Sequence, residues 1–186
     1  MPKELIISVF GSSRPRENDA DYKEARALGH ALADAGFAIC SGGYAGLMEA
    51  VSRGAKERGN KTYGVTTEFF KDAKANEWID EEIRVKTWQQ RLFELIRLAD
   101  GFVACKGGTG TLAELAVVWE MMNKGVMPGK PFVVLGNFWQ SILERVREVE
   151  LEHSTSWGEA NERLVHVAAT PDEAAKFLAQ SLKSKL

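Results

Sequence analysis

The sequence predicts a Rossmann-like α/β fold, doubly wound, with a mainly parallel sheet and helices on both faces. Three observations predict it. Short β-rich runs alternate with single amphipathic stretches, as successive right-handed crossovers require. The β-rich runs are continuously apolar rather than alternating, as expected of strands covered on both faces. Three of the runs end in glycine-rich turns that lead into helical segments. No repeat, low-complexity tract or linker interrupts residues 1–186, which read as one nucleotide-binding domain.

Taken in order, Leu5–Phe10 is the first strand, followed by Gly11-Ser12-Ser13-Arg14-Pro15. Asp19 to Ala35 is helical, with Ala25, Leu28, Leu32 and Ala35 at helical spacing and Gly36 as its stop. Phe37–Ser41 is a strand ending in Gly42-Gly43, and Ala45–Arg58 a helix closed by Gly59-Asn60. Thr62–Thr66 is the third strand. The polar, irregular segment Glu68–Glu82 is a loop or lid, before a short strand Ile83–Lys86 and a helix Trp88–Leu98. Gly101–Cys105 is the fifth strand, leading into a glycine-threonine loop and a helix from about Thr111 to Asn123. Pro131–Leu135 and the helix Trp139–Val149 follow. His153–Arg163 is loop-like, Leu164–Val167 a last strand, and Pro171–Lys183 a closing helix with proline in its first turn.

Composition narrows the function classes. With 45% hydrophobic and 27% charged residues the chain is that of a globular protein with a sizeable core. Its 24 basic and 26 acidic residues give a net charge of -2, which argues against a dedicated nucleic-acid binder but leaves room for a local phosphate site. The apolar runs Leu5–Phe10 and Phe132–Leu135 fall far short of the ~18 residues that cross a bilayer. The N-terminus lacks signal-peptide architecture, so no membrane partner and a cytoplasmic location are expected. Cys40 and Cys105 each end an apolar segment and read as buried, reduced thiols. His30, His153 and His166 show no metal-ligand spacing, and no metal site is expected.

In an open parallel sheet, ligands bind beyond the carboxyl ends of the strands, where the strand order reverses. Three loops qualify: Gly11-Ser12-Ser13 after the first strand, Gly42-Gly43-Tyr44-Ala45-Gly46 after the second, and Lys106-Gly107-Gly108-Thr109-Gly110-Thr111 after the fifth. The last has the clearest logic. Glycines let backbone approach a phosphate closely, and the free N–H groups and dipole of the following helix favour an anion. Thr109 and Thr111 add hydroxyl donors, or cap the helix. The loop is neither a Walker A sequence, which ends in Gly-Lys-Ser/Thr, nor the usual dinucleotide fingerprint.

These segments, VFGSSRP, SGGYAGLMEAV and KGGTGTLAE, resemble the signature segments of the Lonely Guy family of nucleoside 5′-monophosphate phosphoribohydrolases, long mislabelled lysine decarboxylases. The similarity in order and spacing runs from about Leu5 to Leu135. The resemblance implies hydrolysis of the N-glycosidic bond between a base and ribose 5-phosphate, with no cofactor. It implies Glu114 as the catalytic glutamate and Arg91, in Trp88-Gln89-Gln90-Arg91-Leu92, as the arginine that fixes phosphate or sugar as a bidentate donor. It also implies a homodimer. A nearby carboxylate stabilises the oxocarbenium-like state through which such a bond breaks and positions water, by analogy with glycoside hydrolysis.

The chain departs from the family pattern at three places. Lys106 replaces the proline before Gly107, Tyr44 replaces a third glycine, and Gln89, Gln90 and Leu92 replace the His, Glu and Lys around the arginine. A lysine decarboxylase would need a Schiff-base lysine for pyridoxal phosphate, and none is identifiable. Ser12-Ser13 lacks the Gly-x-Ser-x-Gly elbow of a hydrolase nucleophile. Trp119, Met121 and Met122 are core or dimer contacts. Two readings stay open: an enzyme acting on a nucleoside monophosphate, and a non-catalytic nucleotide or molybdenum-cofactor carrier with the same pocket.

Overall fold

In the computed structural model, which describes residues 4–153, 161 and 163–183, the chain alternates strands and helices almost without exception. The strands are β1 (Ile6–Phe10), β2 (Ala38–Ser41), β3 (Thr62–Thr67), β4 (Glu81–Val85), β5 (Gly101–Ala104), β6 (Phe132–Leu135) and β7 (His166–Ala168). The helices are α1 (Ala20–Asp34), α2 (Leu47–Glu57), α3 (Trp88–Leu98), α4 (Thr109–Asn123), α5 (Gln140–His153) and α6 (Pro171–Lys183). The loop expected over His153–Arg163 lies largely outside the described residues.

All strand pairs are parallel and form a seven-stranded sheet in the order β4-β3-β2-β1-β5-β6-β7. The chain winds outward from β1 to β4, then returns to the other side of β1 and winds outward again. The order therefore reverses between β1 and β5, and the crevice beyond their carboxyl ends is the position this topology offers a ligand.

Both faces are covered. α1, α2 and α6 pack on one face over Ile7, Val9, Ile39, Val103 and Val133. On the other, α3, α4 and α5 cover Phe10, Cys40, Val65, Phe102 and Val134. Consecutive residues of β1 thus serve opposite faces, and no polar alternation appears because both faces are dry. The one polar residue inside β1, Ser8, is satisfied by donating to the Leu95 carbonyl (2.7 Å). Cys40 and Cys105 are free and buried, and burial pushes both thiols up to about 12.

Three element boundaries differ from the sequence expectation in instructive ways. α4 starts at Thr109, not about Thr111, because Gly108 is its N-cap and the Gly108 carbonyl already accepts from Leu112 N (2.9 Å). Gly110, a poor helix former, is tolerated in a first turn whose amides lack intrahelical partners anyway. β4 begins at Glu81, because an edge strand tolerates charged residues that composition assigns to a loop. α5 continues to His153 past the expected end at Val149.

α1 and α2 approach backbone to backbone. A Cβ on Gly29 would stand 2.3 Å from the Val51 carbonyl oxygen, and one on Gly54 would stand 2.1 Å from that of Arg26. Glu57 closes the crossing by accepting from Arg26, His30 and Arg53. Gly54→Ala in an open helix would stabilise by roughly 1 kcal/mol. Here the backbone clash wins, and we expect a loss of about 1–3 kcal/mol, seen as a lower Tm by calorimetry. An unchanged or higher Tm would contradict this packing.

Candidate functional site

A cleft of about 1160 Å³ opens at the carboxyl ends of β1 and β5. Two backbone bonds stitch its base: Cys105 N donates to the Phe10 carbonyl (2.8 Å) and Ser12 N to the Lys106 carbonyl (3.2 Å). The first and third glycine loops therefore meet at the switch point. Gly11, Ser12, Ser13, Lys106, Gly107, Gly108, Thr109, Gly110, Thr111, Arg91 and Glu114 all line this cleft.

The loop from Lys106 to Thr111 has an inner and an outer side. A Cβ on Gly107 would stand 2.1 Å from Thr111 Oγ1, so glycine is what lets the buried Thr111 side chain fold back beneath the loop. Around Gly108 and Gly110 the space a Cβ would take is open. α4 has no side-chain cap, which corrects the alternative that Thr109 or Thr111 caps it. The first-turn amides of α4 thus face the open side at the positive end of its dipole. Lys106 lies at the mouth, its ammonium 3.0 Å from Asp21 Oδ2 on α1.

Gly42, Gly43 and Gly46 stand behind the wall rather than on it. A Cβ on Gly42 would fall 1.6 Å from Arg91 Nη2. At Gly43 and Gly46 the backbone turns through positive φ (74° and 73°), and a Cβ on Gly46 would stand 2.5 Å from the Ser12 carbonyl oxygen. Leu47 N then donates to the Ser12 carbonyl (2.8 Å). These glycines make room for the arginine and brace the first loop.

Arg91 is the most connected side chain of the site, buried at 7% exposure. Its Nε donates to the Val65 carbonyl (2.8 Å) and its Nη2 to the Gly42 carbonyl (3.0 Å), with Met48 Sδ at 3.6 Å. The guanidinium lies 5.3 Å from the centre of the Tyr44 ring. This corrects the expectation of a bidentate ligand contact: two of the three nitrogens are committed to backbone carbonyls, and Nη1 alone is turned to Glu114 Oε1, at 3.9 Å. Burial lowers the Arg91 pKa, while Glu114 opposes that shift.

Glu114 sits in the second turn of α4, past the first-turn amides, so it is not a first-turn glutamate serving the helix dipole. Its carboxyl is pushed up to about 7 by burial, against the opposing pull of Arg91. Desolvation wins because the pair is separated by 3.9 Å and lacks a tight hydrogen bond.

Sequence reasoning missed most of the apolar walls. Tyr44, Met48, Phe70, Trp88 and Phe138 line the cleft, as do Arg14 and Arg16. Tyr44, noted only as a departure from a glycine, is anchored at the end of β3: its hydroxyl accepts from Thr67 N (2.8 Å) and donates to the Thr67 carbonyl (3.3 Å). Its ring meets Phe70 edge-on at 5.8 Å. Asn76 ties the Glu68–Asp80 segment to the second glycine loop by donating from Nδ2 to the Gly43 and Tyr44 carbonyls (3.0 and 2.9 Å). The expected loop or lid is thus a pinned wall of the cleft. Phe70 and Phe138 follow the carboxyl ends of β3 and β6, the one positional signal that points to them. Trp119 and Met122, by contrast, are core.

Among the described residues no group of three or more His, Cys, Asp or Glu is placed to hold a metal. No described helix is long and apolar enough to cross a membrane.

Sheet order and cleft position together define a Rossmann-like protein with a cleft at its topological switch point. The chain belongs to the SLOG cluster4 family, whose pattern matches residues 4–173, and its relatives place it with the Lonely Guy proteins. It is 31% identical over 136 residues to a cytokinin riboside 5′-monophosphate phosphoribohydrolase of Mycobacterium marinum, covering 72% of each chain. To a protein of the same activity from Arabidopsis thaliana it is 30% identical over 141 residues, 74% of this chain and 66% of that one. A solved structure of the Moco carrier protein of Chlamydomonas reinhardtii matches 99% of this chain and 100% of its own, at 27% identity and a TM-score of 0.68.

Because burial raises the Glu114 pKa from 4.5 to about 7, the folded state holds this proton more tightly than the unfolded chain. The resulting stabilisation, on the order of 3 kcal/mol, is full below pH 4.5 and lost as pH rises through 7. Glu114→Gln carries no such loss, so its Tm relative to wild type should climb between pH 5 and pH 8. A difference that does not change with pH would contradict the buried-carboxyl geometry.

Proposed function

We propose that this chain hydrolyses the N-glycosidic bond of nucleoside 5′-monophosphates, releasing free base and ribose 5-phosphate. The observation that carries this reading is the Glu114–Arg91 pair, set one turn beyond the open first-turn amides of α4. In this reading the amides of Gly108 to Thr111 receive the phosphate, held by the helix dipole. The ribose then lies over the second turn of α4, beside the Glu114 carboxylate. Tyr44, Met48, Phe70 and Trp88 offer the base apolar and aromatic surface.

The chemistry follows from charge. As the bond from C1′ to the base nitrogen breaks, positive charge grows on the ribose ring, and an ionised Glu114 stabilises it. Water adds to C1′ and gives one proton to the Glu114 carboxylate; the departing base nitrogen takes up one proton from solvent and Glu114 then returns its own, so one water is consumed per bond broken. Arg91 is a positioning residue: it holds the carboxylate in place and favours its ionised form. A pKa of about 7 leaves Glu114 able both to accept and to release a proton near neutrality.

A second reading has its own support. Full-length similarity to a Moco carrier protein favours a non-catalytic carrier that uses the same cleft. Incubation with a panel of nucleoside monophosphates, followed by chromatography, separates the two. We expect free base and ribose 5-phosphate from wild type, with kcat/KM rising to a plateau above about pH 7. Glu114→Gln should lower kcat by about 10²–10⁴-fold. Saturable binding without turnover would favour the carrier, and full turnover in the variant would remove Glu114 from the chemistry.

The reading includes a homodimer. Leu112 on α4 and Ile142 and Val146 on α5 leave apolar side chains 36–38% exposed along one surface. Light scattering should give twice the chain mass, and the chain mass alone would contradict it.

A further inference from the structure

We infer that the cleft also accepts a ribonucleotide carrying a second phosphoryl group joined to the first, with Arg14 and Arg16 as the site of that second group. The inference rests on the nucleotide reading above but not on its hydrolytic step.

Arg14 and Arg16 are exposed and line the cleft, yet their guanidinium groups make no hydrogen bond or ion pair with any described residue. Every other described arginine has a partner. Arg26 and Arg53 hold Glu57, Arg58 faces Asp34, Arg84 faces Glu82, and Arg97 and Arg145 hold the glutamates Glu94 and Glu148. Arg91 and Arg147 donate to backbone carbonyls, and Arg163 is also engaged. The chain pairs its arginines everywhere except at this mouth.

The carboxylates nearby do not cancel these two charges. Asp21 is held by Lys106. Asp19 accepts from the Arg16 backbone amide (2.7 Å) and sits at the N-cap of α1, where the helix dipole offsets its charge. An anion entering here meets two cations whose opposing groups are already occupied.

Position favours a group linked to the first phosphate. Ser12 N touches the Lys106 carbonyl, one residue before the Gly107 loop. Arg14 lies two residues further on, within about 7 Å along the chain, and its amide is turned back onto Ser12 Oγ (3.2 Å). The arginine side chains thus project from the loop that adjoins the first-turn amides of α4. Arginine suits the task, since its fork meets phosphate oxygens bidentately. The cleft, at about 1160 Å³, also exceeds the roughly 300–1,000 Å³ of pockets that enclose one drug-sized ligand.

Calorimetric titration of the full-length Glu114→Gln protein with AMP, ADP and ADP-ribose tests this, since the N-glycosidic bond stays intact in that background. ADP and ADP-ribose should bind about tenfold more tightly than AMP, the scale of one or two charge-assisted hydrogen bonds. Adding Arg14→Ala and Arg16→Ala should abolish that advantage, weakening ADP and ADP-ribose about tenfold more than AMP, and should leave Tm unchanged because neither side chain has a protein partner. An advantage confined to ADP-ribose or to ADP would show whether the second group is bound as a diester or as a terminal phosphate. Equal affinity for AMP and ADP-type ligands, or an advantage that survives the double substitution, would overturn the inference while leaving the monophosphate site standing. Failure of all three ligands to bind would overturn the nucleotide reading and this inference with it.

Discussion

Arg91 carries a full charge into the wall of the cleft, and four parts of the fold are arranged around it. From α3 it reaches the Val65 carbonyl on β3, the Gly42 carbonyl after β2, Met48 on α2 and Glu114 on α4. A buried guanidinium is tolerated only if its donors are met, and here backbone carbonyls meet most of them. Gly42 has no room for a Cβ because the guanidinium fills that space. The Tyr44 ring lies on the guanidinium, and its hydroxyl fixes the end of β3. Removing the charge would therefore loosen the second glycine loop as well as expose Glu114.

The same constraint ties the two halves of the sheet. α2 and the loop after β2 belong to the half that winds outward from β1 to β4, and α4 to the half that starts at β5. The Arg91–Glu114 contact crosses between them just below the switch point, where Ser12 and Lys106 already join backbones. A ligand in this crevice meets both halves at once: open amides from one side and an aromatic wall from the other.

The alternation of elements could be read from residues because each strand is a short apolar run and each helix has its own stop, as Gly36 and Gly59 illustrate. The glycine loops, and Glu114 and Arg91 as candidate residues, are legible through the motif resemblance; the contact between those two is not. The division of labour among the glycines is not: whether a glycine faces the open cleft, as Gly108 does, or makes room for a side chain, as Gly42 does, depends on what crosses from elsewhere in the chain. Tyr44, Phe70 and Phe138 were invisible as wall residues for the same reason, since isolated aromatics in a sequence are more often core. The sequence expectation starts β4 late, at Ile83, because Glu81 and Glu82 look like loop, and only their pairing with Tyr63 and Gly64 makes them strand.

In the proposed site the first turn of α4 holds phosphate and Glu114 faces the sugar. The most direct measurement is a crystal structure of the Glu114→Gln protein with a nucleoside 5′-monophosphate. Phosphate oxygens are expected within hydrogen-bond range of the Gly108 to Thr111 amides, with C1′ of the ribose beside residue 114. A phosphate bound elsewhere, with the first turn of α4 facing only solvent, would contradict it.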